Sequence, residues 1–310
     1  MATIWFCFVA AILAGYVVLD GFDLGVGILH LWIARDDAER RIVLRSIGPV
    51  WDGNEVWILA AGGTLYFAFP ALYATAFSGF YLPLMMVLWL LILRGISVEF
   101  RSHVTGTIWP AFWDAGFSFA SLLLAVFYGA ALGNVVRGVP LDANGRFFEP
   151  LWTDFLPRGQ TGILDWYTVL VGIAVLAALT LHGSTWLAYK TDGGLNQRAL
   201  RVASALWWAV ASLTFVITFA SFRVLPQLLQ NFRFRPWGFL FPLLAIAGLS
   251  GIKWFVHCEG GRQGIRSFVS LPAWHAYECG LQPLSQRSAR QHESALQPHN
   301  FKCEGGRLRP

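Results

Sequence analysis

The segments LDGFDLGVG (19–27) and WDGNEVW (51–57) place four acids in or beside long apolar stretches. These acids are Asp20, Asp23, Asp52 and Glu55. A carboxylate in hydrocarbon is energetically costly, and it usually faces a bundle interior, a partner or a water-filled path. The two acid pairs therefore indicate proton handling or a buried polar interface within a membrane.

The composition is that of an integral membrane protein. The 310 residues are 56% hydrophobic and 13% charged, whereas soluble domains carry roughly 25% charged residues. The mean hydropathy is +0.53, and the abundant Trp and Phe suit aromatic belts at both bilayer interfaces. We predict an all-α, polytopic transmembrane helical bundle. The net charge of +5 is then read as topogenic charge between apolar runs, not as a nucleic-acid-binding surface.

Seven apolar segments approach the length of about 20 residues that a spanning helix needs. They are 4–32, 50–70, 73–98, 108–136, 162–188, 201–224 and 236–256. The first run continues well past the length of a signal peptide and has no cleavage site, so no separate signal peptide is expected. The positive-inside bias predicts a periplasmic N-terminus. The basic residues that support this orientation are Arg35, Arg40, Arg41, Arg45, Arg101, Lys190, Arg198, Arg201 and Lys253.

The character of the chain changes after the seventh apolar run. Residues 1–257 form the predicted transmembrane domain, and 258–310 is a polar tail without a run of spanning length. Tails of this composition are commonly disordered. Its cysteines, Cys258, Cys279 and Cys303, lack the close spacing of a zinc site.

Asp20 and Asp23 are three residues apart, so on a helix they share a face. Gly21 and Gly25 form a small-xxx-small pair that permits another helix to approach closely beside them. The two acids could form a proton relay or a helix-interface site. Alternatively, neighbouring polar groups could hold them without any proton passing through.

Asp52 and Glu55 repeat this spacing at the start of the second apolar run. Asp52 and Asn54 could simply cap that helix, since acids in a first turn suit the helix dipole. Trp51 and Trp57 flank the acids and favour instead a packed, partly dry environment, in which burial would let a carboxyl group exchange protons near neutral pH.

Other polar residues in or near the apolar runs have simpler interpretations. His182 could ligate a haem or make an ordinary hydrogen bond. His30 and His103 lie near helix ends and are expected to be interfacial. Asp114 and Asp165 stand beside tryptophans, as expected of helix caps and belt anchors. No pair of His at ligand spacing lies inside the apolar runs. We therefore expect no metal and no haem on this chain.

The motifs GYVVLDGFDLGVG (15–27) and IGPVWDGNEVWILAAGGTLYFAFPALYATAFSGFYLP (47–83) resemble subunit II of the cytochrome bd-type quinol oxidases. GNVVRGVPL (133–141) and LHGSTWLAYKT (181–191) fit the same family. The resemblance covers residues 1 to about 256, and the NEVW variant is closer to the cyanide-insensitive branch.

This resemblance implies a respiratory heterodimer in a bacterial cytoplasmic membrane that oxidises ubiquinol or another quinol and reduces dioxygen to water. It implies that subunit I holds haems b and d, that subunit II is haem-free, and that a small single-helix subunit can accompany them. It also implies a cytoplasm-to-haem proton path along the subunit boundary, with Asp20 and Asp52 as candidates. Asp23, Glu55 and Asn54 are added from spacing alone.

The resemblance implies nine spanning helices, two more than the sequence provides before residue 258. Codons permitted by 274–293, read one base later, can encode a string that resembles the eighth helix of the family. We therefore expect a single-base frameshift near 256–263, which resequencing of the gene would test. The competing class is an ion- or proton-coupled transporter, where paired membrane acids also occur.

Overall fold

The computed structural model describes residues 1–104, 106–143, 145–156, 160–227, 234 and 236–258. Residues 259–310 of the expected polar tail, with Cys279 and Cys303, lie outside these residues, as does most of the stretch 256–263 in which the frameshift is expected. The regular secondary structure within the described residues is helical, apart from one isolated bridge between Trp152 and Leu164. The helices are α1 Ala2–Ile33, α2 Asp37–Ile47, α3 Trp51–Ala68, α4 Pro70–Gly79, α5 Tyr81–Phe100, α6 Ile108–Arg137, α7 Trp166–Lys190, α8 Gly193–Val224, a 3-10 turn Pro236–Phe239 and α9 Leu240–Cys258.

Five of these helices are long and apolar enough to cross a membrane, namely α1, α5, α6, α7 and α8. A shorter apolar stretch, Leu240–Trp254, lies in α9. The predicted multi-pass membrane architecture is therefore confirmed. Of the seven predicted spans, 50–70 and 236–256 correspond to the shorter helices α3 and α9.

Proline residues explain where the predicted spans 50–70 and 73–98 differ from the structure. Helix α3 ends at Ala68, and Phe69 leaves the helical region (φ −139°, ψ 63°) immediately before Pro70 begins α4. A residue before proline disfavours helical backbone, and proline suits the first helical position. A second break at Phe80 precedes Pro83, which has no N–H to continue the helix from α4. The run 73–98 is thus two helices.

Helix α2 was not predicted, because its sequence DAERRIVLRSI is short and polar. Asp36 caps it by accepting a hydrogen bond from the backbone N–H of Glu39 at 2.8 Å. Its apolar side buries Val43 and Ile47 completely, in a cluster with residues of α1, α7 and α8. This amphipathic helix covers one end of the bundle.

The bundle is organised around α1, which packs against α3, α6 and α7. The predicted close approach near Gly21 and Gly25 is confirmed. A Cβ on Gly25 would lie 1.9 Å from the backbone oxygen of Leu179, and one on Gly183 would lie 2.2 Å from the carbonyl carbon of Gly25. Helices α1 and α7 therefore cross with their backbones in contact, which only glycine permits.

Candidate functional site

A buried ion pair between α1 and α5 lies deep in the bundle. The guanidinium of Arg94 donates to both carboxylate oxygens of Asp20, at 2.9 and 2.5 Å. Both side chains are completely buried. This two-pronged geometry is the strongest form of an Arg–carboxylate contact, and it fixes the Asp20 carboxylate on the face of α1 that looks toward α5.

Helix α3 adds a second carboxylate to Arg94. Glu55 Oε1 lies 3.2 Å from Arg94 Nη1, and 23% of the Glu55 side chain is exposed. Arg94 is thus shared between a fully buried carboxylate and one that reaches the surface of the chain. Among these three charged side chains, Glu55 is therefore the one that is partly accessible from outside the chain.

Asn54, the residue before Glu55, connects Asp23 to the same region through a hydrogen bond. Its amide donates to Asp23 Oδ2 at 2.8 Å and to the backbone oxygen of Leu19 at 3.1 Å. The other carboxylate oxygen of Asp23 is buried without a hydrogen-bond partner in the described part of the chain. Asp20, Asp23, Asn54, Glu55 and Arg94 are hereafter called the carboxylate cluster.

Two tyrosines lie one helical turn from the cluster. The hydroxyl of Tyr16 on α1 donates to that of Tyr128 on α6 at 2.9 Å, and their rings meet edge to face with centroids 5.8 Å apart. Tyr16 is nearly fully buried. The pair extends the polar interior of the bundle past Asp20, away from α2.

Asp52 occupies a different position from the other three acids. It is exposed in the first turn of α3, and the described residues give it no hydrogen bond or ion pair. The capping alternative does not describe this site: Val50 is the N-cap and makes no side-chain capping bond, while Asn54 bonds to Asp23. Asp52 precedes Glu55 by three residues, so the two acids are neighbours along α3.

The cluster holds more acid than base. Asp20, Asp23 and Glu55 could carry three negative charges, and Arg94 supplies one positive charge. An unpaired charge taken out of water costs several kcal/mol or more, and a buried group that lacks a counter-ion usually becomes neutral. The arrangement is therefore suited to hold an exchangeable proton on a carboxyl group.

Asp114 is not a helix cap, contrary to the sequence-based prediction. It is the seventh residue of α6 and is buried. Arg101 donates to its two carboxylate oxygens at 2.5 and 3.1 Å, and His30 Nε2 lies 2.6 Å from Oδ1. Arg40 adds a contact at 3.2 Å. These groups neutralise the carboxylate and join α1, α2, α5 and α6 at one end of the bundle.

Helix α2 is held by further ion pairs at this end. Arg101 also contacts Asp37 at 2.6 Å, and Glu39 pairs with Arg198 of α8 at 2.5 Å. Hydrogen bonds from Arg41 and then from Arg101 hold the pKa of Asp37 below its usual range. The hydrogen bond from Arg198, followed by one from the backbone N–H of Arg35, likewise lowers the pKa of Glu39.

Asp165 caps α7, as predicted. Its side chain accepts from the backbone N–H groups of Tyr167 and Thr168, and the Thr168 hydroxyl completes a capping box. Asp165 also pairs with Arg137 at the end of α6, and Arg137 contacts Glu149 at 3.1 Å. This second ionic group fastens the other end of the bundle and has a structural role.

The histidines divide into three environments. His182 is fully buried on α7, and its ring meets that of Phe22 edge to face with centroids 5.8 Å apart. Gly21 is close to it as well, since a Cβ built on Gly21 would lie 3.4 Å from His182 Nδ1. His30, expected to be interfacial, is completely buried on Asp114, whereas His103 is exposed and contacts the backbone oxygen of Glu99. Within the described chain no group of three His, Cys, Asp or Glu could hold a metal ion.

Sequence reasoning missed Arg94, the cation at the centre of the carboxylate cluster. A signal was present, because Arg94 is a single charge within LPLMMVLWLLILRGIS (82–97) and such a residue needs a partner inside the membrane. Tyr128 carried no comparable signal, since a tyrosine in an apolar run is usually read as an interfacial anchor.

The fold and the cluster define a polytopic membrane protein with an ionic site inside its helical bundle. The family model of cytochrome bd terminal oxidase subunit II matches residues 1–276, and the chain belongs to that family. This assignment argues against the transporter alternative.

Three curated relatives are similar to the chain over about two thirds of its length. A probable cytochrome oxidase subunit 2 of Haemophilus influenzae is 37% identical over 222 residues, covering 69% of this chain and 55% of the relative. Cytochrome bd-I ubiquinol oxidase subunit 2 of Escherichia coli K12 is 36% identical over 225 residues, covering 70% and 55%. Cytochrome bd ubiquinol oxidase subunit 2 of Bacillus subtilis is 34% identical over 207 residues, covering 67% and 59%. The chain thus spans little more than half the length of these relatives.

A solved structure shares the fold. A chain of the bd oxidase from Geobacillus thermodenitrificans superposes with a TM-score of 0.71, covering 95% of this chain and 92% of that chain. The sequence identity is 16%, so this likeness concerns the arrangement of helices alone.

Proposed function

We propose that this chain is the haem-free second subunit of a respiratory quinol:dioxygen oxidoreductase of the cytochrome bd type. In this proposal it lies in a bacterial cytoplasmic membrane and binds a larger subunit I, which carries haems b and d and oxidises quinol. A small single-helix subunit can join the complex. Family membership supports this assembly, and the relatives from Escherichia coli and Bacillus subtilis are named as ubiquinol oxidase subunits.

The task proposed for this chain is proton delivery along its boundary with subunit I. Reduction of one dioxygen molecule to two water molecules consumes four electrons and four protons, so protons must reach a site buried in the membrane. The haems of the proposed partner would supply the redox chemistry. The residues of this chain would hold and move protons toward it.

The observation that carries this proposal is the gradient of burial along the acids. Asp52 is exposed, Glu55 is 23% exposed and Asp20 is fully buried. Asp52 would accept a proton at the surface, and Glu55 would pass it inward. Arg94 keeps its charge at any accessible pH, so it positions the carboxylates of Asp20 and Glu55 and does not itself relay protons.

Asp23 gives the relay a side branch. Asn54 holds one of its oxygens at 2.8 Å, and the unpartnered oxygen can accept a proton or a water molecule. Because Asn54 and Glu55 are adjacent on α3, any displacement of α3 against α1 would act on both branches.

Co-purification tests the proposed assembly. An affinity-tagged chain expressed with its larger partner should yield a complex with haem absorption bands and quinol-driven oxygen uptake. The same chain expressed alone should have no haem bands. Haem bound by the chain alone, or a haem-free chain that transports a solute without a partner, would contradict the proposal.

A further inference from the structure

A basic groove lies between the first part of α8 and the last part of α9, and none of its lining residues belongs to the carboxylate cluster. It is at the same end of the bundle as α2, because Arg198 near the start of α8 pairs with Glu39 of α2. The residues that line the groove are Leu200, Arg201, Ser204, Trp207, Trp208, Lys253, Val256 and His257.

Two tryptophans hold the central cation of the groove in place. The Lys253 ammonium lies 4.3 Å from the ring centroid of Trp207 and 4.0 Å from that of Trp208. Trp207 is fixed in turn, because its indole N–H donates to the backbone oxygen of Leu249 at 2.6 Å. A cation over an aromatic face is stabilised without being neutralised, so the positive charge of Lys253 remains available to an anion.

The groove has positive charge and no negative charge among its described lining residues. Arg201 donates one weak hydrogen bond, at 3.4 Å, to the backbone oxygen of Gln197. Ser204 offers a hydroxyl beside it, and His257 adds a third nitrogen donor when protonated. Arg, Lys and Ser around one concavity are the donors that recognise a phosphate group.

The position of the groove suits a lipid headgroup. Helix α8 has 32 residues, or about 48 Å of helix, whereas the hydrocarbon core is about 30 Å thick. The 20 residues of α8 that follow Ser204, up to Val224, match that thickness at about 30 Å, which leaves Arg201 and Ser204 at the headgroup level. Leu200 and Val256 give the groove apolar walls, and paired tryptophans are typical of this interface.

We propose that the groove binds the phosphate headgroup of an anionic phospholipid from the leaflet on the α2 side of the membrane. Arg201 and Lys253 contact the phosphate, Ser204 donates a hydrogen bond to it, and Leu200 and Val256 contact the beginning of the acyl chains. This site is separate from the carboxylate cluster, so it stands whether or not that cluster carries protons.

Photo-crosslinking in the assembled complex tests the proposal. The complex is reconstituted in phosphatidylcholine nanodiscs containing a small fraction of phosphatidylglycerol with a diazirine near its glycerol backbone. Adducts are then mapped by peptide mass spectrometry. The proposal predicts adducts on the peptides that carry Trp207, Trp208 and Val256, and few adducts there from the matching phosphatidylcholine probe.

Matched variants separate charge recognition from general lipid contact. Arg201→Gln with Lys253→Gln should lower labelling by about tenfold, because each cation near an anionic surface favours binding severalfold. Lys253→Arg should keep it. Arg223→Gln, at the opposite end of α8, makes the same kind of charge change and should leave labelling unaltered.

Three outcomes would overturn the proposal. Equal labelling by both lipid probes would make the groove an ordinary lipid contact. Loss of labelling in excess inorganic phosphate would assign it to a free anion. An unlabelled groove in the unaltered complex would mean that another part of the protein covers it.

Discussion

Asp20 and Arg94 form the pair on which the interior of this bundle depends. Removing one partner of a buried ion pair leaves the other charge uncompensated, which typically costs about 3–5 kcal/mol. Arg94 cannot relieve this by losing its proton, and its remaining partner, Glu55, is partly exposed and 3.2 Å away. The pair therefore fixes how α1 and α5 pack together, and it also neutralises the charge of Arg94.

Asp20→Asn should destabilise the folded chain by about 3 kcal/mol, because the amide no longer neutralises Arg94. The measurement is denaturant unfolding in mixed micelles. Arg94→Gln in the same background should recover part of the loss, since two neutral amides can bond to each other. An Asp20→Asn protein as stable as the unaltered chain would show that Glu55 alone suffices as the counter-ion.

The residues of the cluster could be anticipated from the sequence only in part. The acids stood out because carboxylates are rare in apolar runs, and helical spacing correctly brought Asp20 and Asp23 into one region. For Asp52 and Glu55 the spacing indicated only that they are neighbours along α3, and not that one is exposed while the other contacts Arg94. Which side of α3 faces α1 is decided by packing, in which Trp57 lies across Gly15, and no local rule specifies that contact.

Among the helices, the crossing of α1 and α7 is the least tolerant of substitution. Gly25→Ala should disrupt it, because the new Cβ would overlap the backbone of Leu179 and Gly183. Gly63→Ala is the matched control: a Cβ at Gly63 meets nothing within 4 Å, and alanine favours helix by roughly 0.5–1 kcal/mol. Thermal unfolding of both variants should give a clearly lower midpoint for the first and an equal or higher one for the second. Equal midpoints would contradict backbone contact at this crossing.

Helix α2 should loosen in acid. The pKa of Asp37 and that of Glu39 are lowered by their arginine partners, so each carboxylate contributes stability that is present above its ordinary pKa of about 4. This contribution is lost as the pH falls through the lowered value. Amide hydrogen exchange of α2, corrected for the intrinsic pH dependence, should be slow at pH 7 and faster near pH 3.

The comparison for this prediction is Asp37→Asn, which removes one of the two carboxylates. Its α2 should exchange faster than the unaltered helix at pH 7 and respond less to acid. If α2 in the unaltered chain were equally protected at both pH values, its buried apolar residues and not its ion pairs would be what holds it.

The long apolar helices were predictable because hydrophobic length specifies them directly. Helix α2 was not, because it is too short to span and its stability comes from tertiary ion pairs and from Val43 and Ile47 packing beneath it. The break between α4 and α5 was also missed, although Pro83 marks it. From the sequence alone, a proline in the first turn of a new helix looks the same as a proline that a longer helix tolerates. Only the packing of the helices distinguishes the two cases.

Across the whole molecule, ionic groups join the helices at three depths. Asp114 and its partners join α1, α2, α5 and α6 at one end, the carboxylate cluster joins α1, α3 and α5 in the middle, and Arg137 joins α6 to α7 at the other end. The two end groups are balanced by several cations or by capping bonds. The Arg137 group also has two carboxylates, Asp165 and Glu149, for one cation, but Asp165 is stabilised by its capping bonds as well. The middle group has the largest excess among the described residues, three carboxylates for one cation, which is why proton exchange is proposed there.

Helix α3 has an exposed surface that is suited to contact the proposed subunit I. Leu59 and Phe67 are 72% and 83% exposed, and Asp52 and Glu55 lie on the same helix. If subunit I packs along α3, the acids come to the subunit boundary, where a proton could pass from one chain to the other.

The most direct test is quinol-driven oxygen uptake by the assembled complex carrying Asp52→Asn. Asp52 makes no ion pair within the described structure, so the substitution should leave haem content and stability intact, while loss of the entry carboxylate should slow uptake by about tenfold or more. Asp192→Asn is the control, since Asp192 is an exposed aspartate at the start of α8 with no side-chain capping bond. We expect slow uptake at full haem content for Asp52→Asn and normal uptake for Asp192→Asn. Unchanged uptake in Asp52→Asn, or a loss that only follows a loss of haem, would contradict it.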